Sequence, residues 1–118
     1  MFSALLLDHF QNPRNFGQVA NADARVQLEN PVCGDIVQLS LRMQAGRIAE
    51  IRFLAKGCVA AMACASAVTE LAQGKTVKES RELCAEDMVT AVGGLPEASA
   101  HAAQLALEVL RAALDRVH

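Results

Sequence analysis

Apolar and polar positions alternate with a period of two in three stretches near the middle of the chain. Such alternation predicts an antiparallel sheet that has one face on a core and the other toward solvent. The dipeptide Ala45-Gly46 predicts a tight hairpin between the second and third strands. Within the third strand, period two places Ile51 and Phe53 on the apolar face and Ile48 on the opposite, polar face. The three predicted strands run through residues 25–29, 37–43 and 48–53.

Helical patterns lie on both sides of these strands. Ser3 is suited to cap a short first helix, and an Ala-rich helix after the third strand ends at Gly74. Pro96 is suited to the first position of a long amphipathic helix. A short helix is predicted where Thr76 and Glu79 can form a capping box. The other predicted helices cover residues 3–10, 58–73, 86–92, and 96 to about 117. Three antiparallel strands with helices packed on one face make an α+β fold.

Composition supports one globular domain that spans residues 1–118. Hydrophobic residues make up 53% of the chain, which is enough for a core, but aromatic residues are only 3%. Ala and Leu must therefore fill the core, and this favours closely spaced helices. The net charge of −2 and the scattered basic residues give no electrostatic basis for binding nucleic acid or an anionic membrane.

The location of the protein is predicted from what its sequence lacks. No apolar run approaches the roughly 20 residues that a membrane span needs. The first ten residues have no basic segment and reach Asp8 and His9 too early for a secretory signal. We therefore expect a cytoplasmic protein, in which the four cysteines are thiols or metal ligands rather than disulfides.

Two of the cysteines lie next to glycines where predicted strands begin or end. Cys33 belongs to P-V-C-G-D, which also supplies Asp35, and Cys58 opens the Ala-rich helix. The helix dipole predicts a lowered pKa for the Cys58 thiol. With His101, near the start of the last helix, these side chains could form a tetrahedral Zn²⁺ site or an iron site. Small buried thiols with an exposed histidine stay open as the other interpretation, because 25 residues between the cysteines match no compact zinc motif.

Five blocks of sequence resemble the U-type iron–sulfur cluster scaffold family, which comprises IscU, SufU and the N-terminal domain of NifU. The blocks follow the order and nearly the spacing of the family, and they cover almost the whole length of the chain. They are L-D-H-F-Q-N-P-R-N-F-G (7–17), N-P-V-C-G-D (30–35), K-G-C-V-A-A-M-A-C-A-S-A-V-T-E (56–70), G-K (74–75), and L-P followed by His101 (95–101).

The resemblance implies a three-stranded sheet with helices and a non-enzymatic role. Members of the family build a nascent [2Fe–2S] cluster with iron and with sulfur from a cysteine desulfurase, and then transfer it to apoproteins. Carried over by position, Cys33, Asp35 and Cys58 are cluster ligands and His101 is an auxiliary or alternative ligand. The carboxylate of Asp35 is a poorer partner for iron than a thiolate and would keep the cluster transferable.

The chain departs from the family pattern where a third cysteine is expected directly after the histidine. Ala102 stands there, so Cys33, Asp35, Cys58 and His101 would be the full set of ligands. This set could hold a [2Fe–2S] cluster or Zn²⁺, which leaves a second interpretation. The chain would then be a diverged zinc- or iron-binding relative that modulates a cysteine desulfurase without completing clusters.

Other side chains near these blocks are assigned structural roles. Cys64 lies six residues after Cys58, on another side of the helix, and is predicted to be a buried thiol. Cys84 is predicted to be incidental, and His9 to be a packing residue rather than a ligand. The stretch L-P-E-A-S lacks the lysine and second proline that a specialised Hsp70 chaperone recognises in many members, so this partner is not expected. A thiol enzyme with Cys58 as nucleophile is chemically conceivable, but the sequence indicates no substrate pocket.

Overall fold

The computed structural model describes residues 1–117, in which an antiparallel sheet is followed by most of the helices. One helix precedes the sheet, and the other helices follow it. The strands are β1 (Ala24–Asn30), β2 (Asp35–Gln44) and β3 (Arg47–Lys56). The helices are α1 (Ala4–Gln11), α2 (Val59–Ala72), α3 (Val77–Arg81), α4 (Ala85–Ala91), a short 3₁₀ helix (Glu97–Ser99) and α5 (Ala100–Leu114).

The strands form one sheet in the order β1-β2-β3, with both neighbouring pairs antiparallel. The hairpin at Ala45 and Gly46 is confirmed, with φ of 53° and 78° at the two loop residues. These values are typical of the type I′ turn, whose twist matches the twist of the strands that it joins.

The prediction for Ile48 is wrong, because a bulge interrupts the alternation in β3. The pairing register shifts between Arg42 and Met43: Arg42 lies opposite Glu50, and Met43 opposite Ile48. Ala49 is the extra residue, and the bulge turns Ile48 toward the core, where it is fully buried. Beyond the bulge the alternation resumes as predicted, with Ile51 and Phe53 buried.

The helices cover one face of the sheet, as predicted. Helix α2 packs on β3, α5 packs on β1 and β2, and α1 packs on α2. Buried alanines line α2 and α5, so their backbones approach the sheet closely and bring both helix N-termini to one end of it. On the opposite face, Gln18 donates to Gln38, and the Val19 amide donates to the Ser40 hydroxyl.

The helix ends follow the sequence signals except at Pro96. Ser3 and Thr76 cap α1 and α3 through their hydroxyls, and Gly74 adopts φ +86° after α2. Pro96 does not open α5, because it precedes the 3₁₀ helix and α5 starts only at Ala100. The long helix also ends at Leu114, three residues before the predicted limit. As a consequence, His101 is the second residue of α5.

Within residues 1–117, no helix combines the length and the apolar character that crossing a bilayer would require.

Candidate metal centre

Asp35 is the buried centre of the candidate site. It is the first residue of β2, opposite Asn30, and is only 2% exposed. Its Oδ1 accepts a hydrogen bond of 2.9 Å from the backbone N–H of Cys58. Its Oδ2 lies 3.2 Å from Nε2 of His101 and 3.4 Å from Sγ of Cys58. One carboxylate thus joins the start of β2 to the start of α2 and the start of α5.

Cys33 is presented on the turn between β1 and β2. Asn30 Oδ1 accepts hydrogen bonds from the N–H groups of Val32 (3.0 Å) and Cys33 (3.4 Å). The Gly34 N–H donates to the Asn30 carbonyl at 2.7 Å and closes the turn. The Cys33 thiol is therefore exposed on a turn of fixed shape. Asn30 was not singled out from the sequence, although asparagine is a preferred residue for accepting such turn hydrogen bonds.

Cys58 is the N-cap residue of α2. Its backbone is extended, with φ −74° and ψ 161°, and its Sγ accepts from the Ala61 N–H at 3.3 Å. The prediction of a lowered pKa is wrong: the pKa of the Cys58 thiol is raised, chiefly by desolvation and also by the Asp35 carboxylate. The Ala61 N–H acts in the predicted direction, but its effect is outweighed.

His101 completes the group from the first turn of α5. Its Nε2 lies 3.9 Å from Sγ of Cys58, in addition to its contact with Asp35. The side chain is 29% exposed, so the imidazole is at the boundary between the buried carboxylate and solvent. A ligand that binds here can enter from solvent.

The structure brings Cys33 and Cys58 each close to Asp35 and His101. One potential ligand atom from each of Cys33, Asp35 and His101 lies within 4.8 Å of the other two, and Cys58 contacts both Asp35 and His101. Metal–ligand bonds of about 2.0–2.3 Å in a tetrahedral site place neighbouring ligand atoms about 3.3–3.8 Å apart. The three distances among Cys58, Asp35 and His101 are 3.2, 3.4 and 3.9 Å, so small shifts would fit a metal ion.

The remaining candidate residues lie outside this group. Cys64 is fully buried, as predicted, and burial raises the pKa of its thiol to about 12. Cys84 is exposed at the N-cap of α4, where its N–H donates to Asp87. His9 is buried with Nδ1 2.9 Å from the Ser66 hydroxyl, which agrees with the predicted packing role. Ala102 is 1% exposed and faces the core beside His101.

Comparisons with known proteins extend over nearly the whole chain. Residues 1–117 match the family model described as NifU-like N terminal domain. A protein of Archaeoglobus fulgidus, iron-sulfur cluster assembly scaffold protein IscU 1, is 41% identical over 114 residues, which cover 97% of this chain and 74% of the relative. The iron-sulfur cluster assembly scaffold protein IscU of Escherichia coli K12 is 33% identical over 117 residues, covering 96% of this chain and 91% of that protein.

Solved structures share the same architecture. A crystal structure described as a nitrogen-fixing NifU-like protein (N-terminal) from Brucella abortus superposes with a TM-score of 0.77. The match covers 98% of this chain and 92% of that chain at 19% identity. This likeness confirms the predicted fold, a three-stranded antiparallel sheet with helices.

Proposed function

The chain belongs to the NifU-like N-terminal domain family, and from this membership we propose that it is a scaffold for iron–sulfur cluster assembly. In this proposal it holds iron and a nascent [2Fe–2S] cluster on Cys33, Asp35, Cys58 and His101, and it transfers the cluster to apoproteins. The cluster is its cargo and not a permanent cofactor. The relatives named above are scaffold proteins, and a scaffold role without enzymatic activity is consistent with their names.

The observation that carries the proposal is the convergence of four potential ligands from three separate parts of the fold. Where β2, α2 and α5 begin, the thiols of Cys33 and Cys58 each lie near the Asp35 carboxylate and the His101 imidazole. Sulfur and nitrogen donors suit iron in clusters, and imidazole on iron is known to raise the potential of a [2Fe–2S] centre. The exposed Cys33 and the partly exposed His101 keep this group open to solvent.

Binding and release follow from the chemistry of the ligands. Thiol ligands bind metal as thiolates, so iron replaces the proton that lies between Cys58 Sγ and Asp35 Oδ2. Asp35 contributes an oxygen, a hard donor that holds iron less firmly than thiolate sulfur does. When the cluster leaves, the Cys58 thiol takes up a proton and again donates to Asp35 Oδ2.

The partners and location follow from the same proposal. A cysteine desulfurase supplies sulfur, apo iron–sulfur proteins receive the cluster, and both meet the protein in the cytoplasm. Residues 1–118 act as one domain.

A second candidate function is favoured by Ala102. This residue is buried beside His101, at the position where the resemblance leads us to expect a third thiol. Four ligands close a tetrahedral Zn²⁺ site, whereas a cluster with one imidazole and one carboxylate is held less firmly. The alternative is thus a zinc- or iron-binding relative that modulates a cysteine desulfurase without completing clusters.

Anaerobic reconstitution with iron, cysteine, a cysteine desulfurase and a thiol reductant that reduces the persulfide sulfur to sulfide separates the two functions. A scaffold acquires the visible absorption of a [2Fe–2S] cluster and passes it to an apo-ferredoxin. The absence of a chromophore, together with Zn²⁺ uptake in a separate titration and an altered desulfurase rate, would support the alternative and contradict the scaffold. Elemental analysis of the protein as purified anaerobically identifies the metal that it carries.

A further inference from the structure

The Asp35 carboxyl group packs closely against the backbone of Gly57. Gly57 lies between Lys56, the last residue of β3, and Cys58, with φ +140°. A Cβ atom added at position 57 would lie 2.1 Å from Asp35 Oδ1, and 2.9 Å from both Cγ and Cα of Asp35. Real Cβ atoms do not approach other heavy atoms so closely, and Asp35 Cα is backbone, so the conflict cannot be relieved by rotating a side chain.

This contact differs from the ordinary requirement of glycine for a positive φ. Gly34 and Gly94 also have positive φ, at +75° and +111°, yet an added Cβ at either position would have no atom within 4 Å. At those two positions the backbone conformation alone favours glycine. At Gly57 the missing side chain is also the space that the Asp35 carboxyl group occupies.

The contact assigns different tasks to the two carboxylate oxygens. Oδ1 is held against Gly57 and accepts the Cys58 N–H at 2.9 Å. Oδ2 is thereby directed toward Cys58 Sγ and His101 Nε2. Asp35 is 2% exposed, so it has little freedom to take another orientation.

We propose that Gly57 is a positioning residue for the metal centre. Because Gly57 has no side chain, the Asp35 carboxyl group can lie where its Oδ1 accepts the Cys58 N–H. Asp35 then has only Oδ2 available to bind a metal. This inference rests on the proposed function, because it assigns Oδ2 to a metal at that site.

The test compares Gly57→Ala, Asp35→Ala and the double variant, with Co²⁺ as the probe metal. Co²⁺ bound to thiolates gives charge-transfer and d–d absorption bands that report the number and type of its ligands. Each single variant is expected to lose about tenfold or more in Co²⁺ affinity, because Asp35→Ala removes a ligand and Gly57→Ala removes the support of that ligand. The double variant should be no more than about threefold weaker than the weaker single variant, because both changes act through the same carboxylate.

Gly94→Ala is the matched control, since it introduces an alanine at positive φ without a clash. Its Co²⁺ affinity should stay within about twofold of the wild type. Losses that multiply in the double variant, or an unchanged spectrum and affinity in Gly57→Ala, would overturn the role of Gly57.

A second measurement needs no metal and separates this inference from the proposed function. Hydrogen exchange by NMR reports whether the Cys58 amide is protected by Asp35 Oδ1. We expect protection in the wild type and in Asp35→Asn, whose side-chain oxygen can still accept, and loss of protection in Asp35→Ala and Gly57→Ala. An amide that exchanges equally fast in Asp35→Asn and Asp35→Ala would overturn the inference even if Gly57→Ala failed to fold. A wild type with a protected amide and no affinity for Co²⁺ would instead contradict the proposed metal centre.

Discussion

Replacing Cys58 with serine should separate the metal-binding role of this residue from its structural role. Cys58 caps α2 through a contact of 3.3 Å between its Sγ and the Ala61 N–H. Sulfur is a weak acceptor, whereas serine is among the preferred N-cap residues, and the backbone at position 58 is already extended as a cap requires. The hydroxyl of Cys58→Ser can also donate to Asp35. The variant should therefore fold as stably as the wild type or up to about 1 kcal/mol more stably.

The effect on metal binding should be opposite in sign and larger. At a Zn²⁺ concentration 100 times the dissociation constant, binding to the folded state alone stabilises the wild type by about 2.7 kcal/mol. For a domain of this size that corresponds to a rise in Tm of about 10 °C. If the loss of one thiolate weakens binding ~100-fold, the same Zn²⁺ concentration adds only about 0.4 kcal/mol, or a rise of about 2 °C.

Thermal unfolding followed by circular dichroism, with and without Zn²⁺, measures both effects on the same samples. We expect Cys58→Ser to match or exceed the wild type in Tm without metal and to lose most of the shift that Zn²⁺ produces. A full Zn²⁺ shift in the variant would show that Cys58 is not a ligand. A Tm several degrees lower without metal would refute the argument from the helix cap.

Three further predictions concern residues around the centre. Cys64→Ser places a hydroxyl where the thiol is fully buried, so it should cost about 1–3 kcal/mol of stability by chemical denaturation while leaving Zn²⁺ stoichiometry unchanged, and a loss of bound Zn²⁺ would contradict its packing role. Ala102→Cys should increase the yield of [2Fe–2S] cluster in anaerobic reconstitution, whereas the control Ala103→Cys, one residue further and also buried, should not; equal yields would mean that the missing thiol does not limit assembly. Burial lowers the pKa of His9 below its ordinary 6.5, so the unfolded chain takes up a proton more readily than the folded protein, and Tm should fall as the pH drops below about 6.5. His9→Gln should reduce this dependence between pH 7.5 and about pH 5.5, and an unchanged slope would assign the effect to another group.

The main elements of the fold could be predicted because local sequence patterns specify them. Period-two alternation located all three strands, and Ser3, Thr76 and Gly74 mark helix ends through their own side chains or conformations. The bulge at Ala49 could not be predicted, because it depends on the register between β2 and β3. The sequence of a single strand does not indicate where its pairing register with the neighbouring strand shifts by one residue.

The start of α5 shows a second limit of local patterns. Proline fits the first turn of an α-helix, but it is also tolerated at turn positions outside α-helices. The choice between them at Pro96 is made by tertiary structure, and it fixes where His101 enters the centre.

The residues of the candidate site could be singled out from the sequence, but the direction of the Cys58 pKa shift could not be predicted from it. Cysteines beside glycines, a nearby aspartate and a distant histidine could be singled out, and the family resemblance grouped them. The pKa of Cys58 was predicted in the wrong direction because only the helix dipole is visible in the sequence. In the folded protein the Cys58 thiol is desolvated by its surroundings. The fold also brings it into contact with the Asp35 carboxylate, which lies 23 positions earlier in the chain.

The central claim is that two thiolates, one carboxylate and one imidazole together hold iron in this protein. Iron-edge X-ray absorption of the anaerobically reconstituted protein tests it most directly, because it counts the neighbours of each iron. A [2Fe–2S] cluster on Cys33, Asp35, Cys58 and His101 predicts an average of about three sulfur neighbours and about one nitrogen or oxygen neighbour per iron, with a second iron close by. Four sulfur neighbours per iron, or oxygen and nitrogen neighbours alone, would contradict this assignment of ligands.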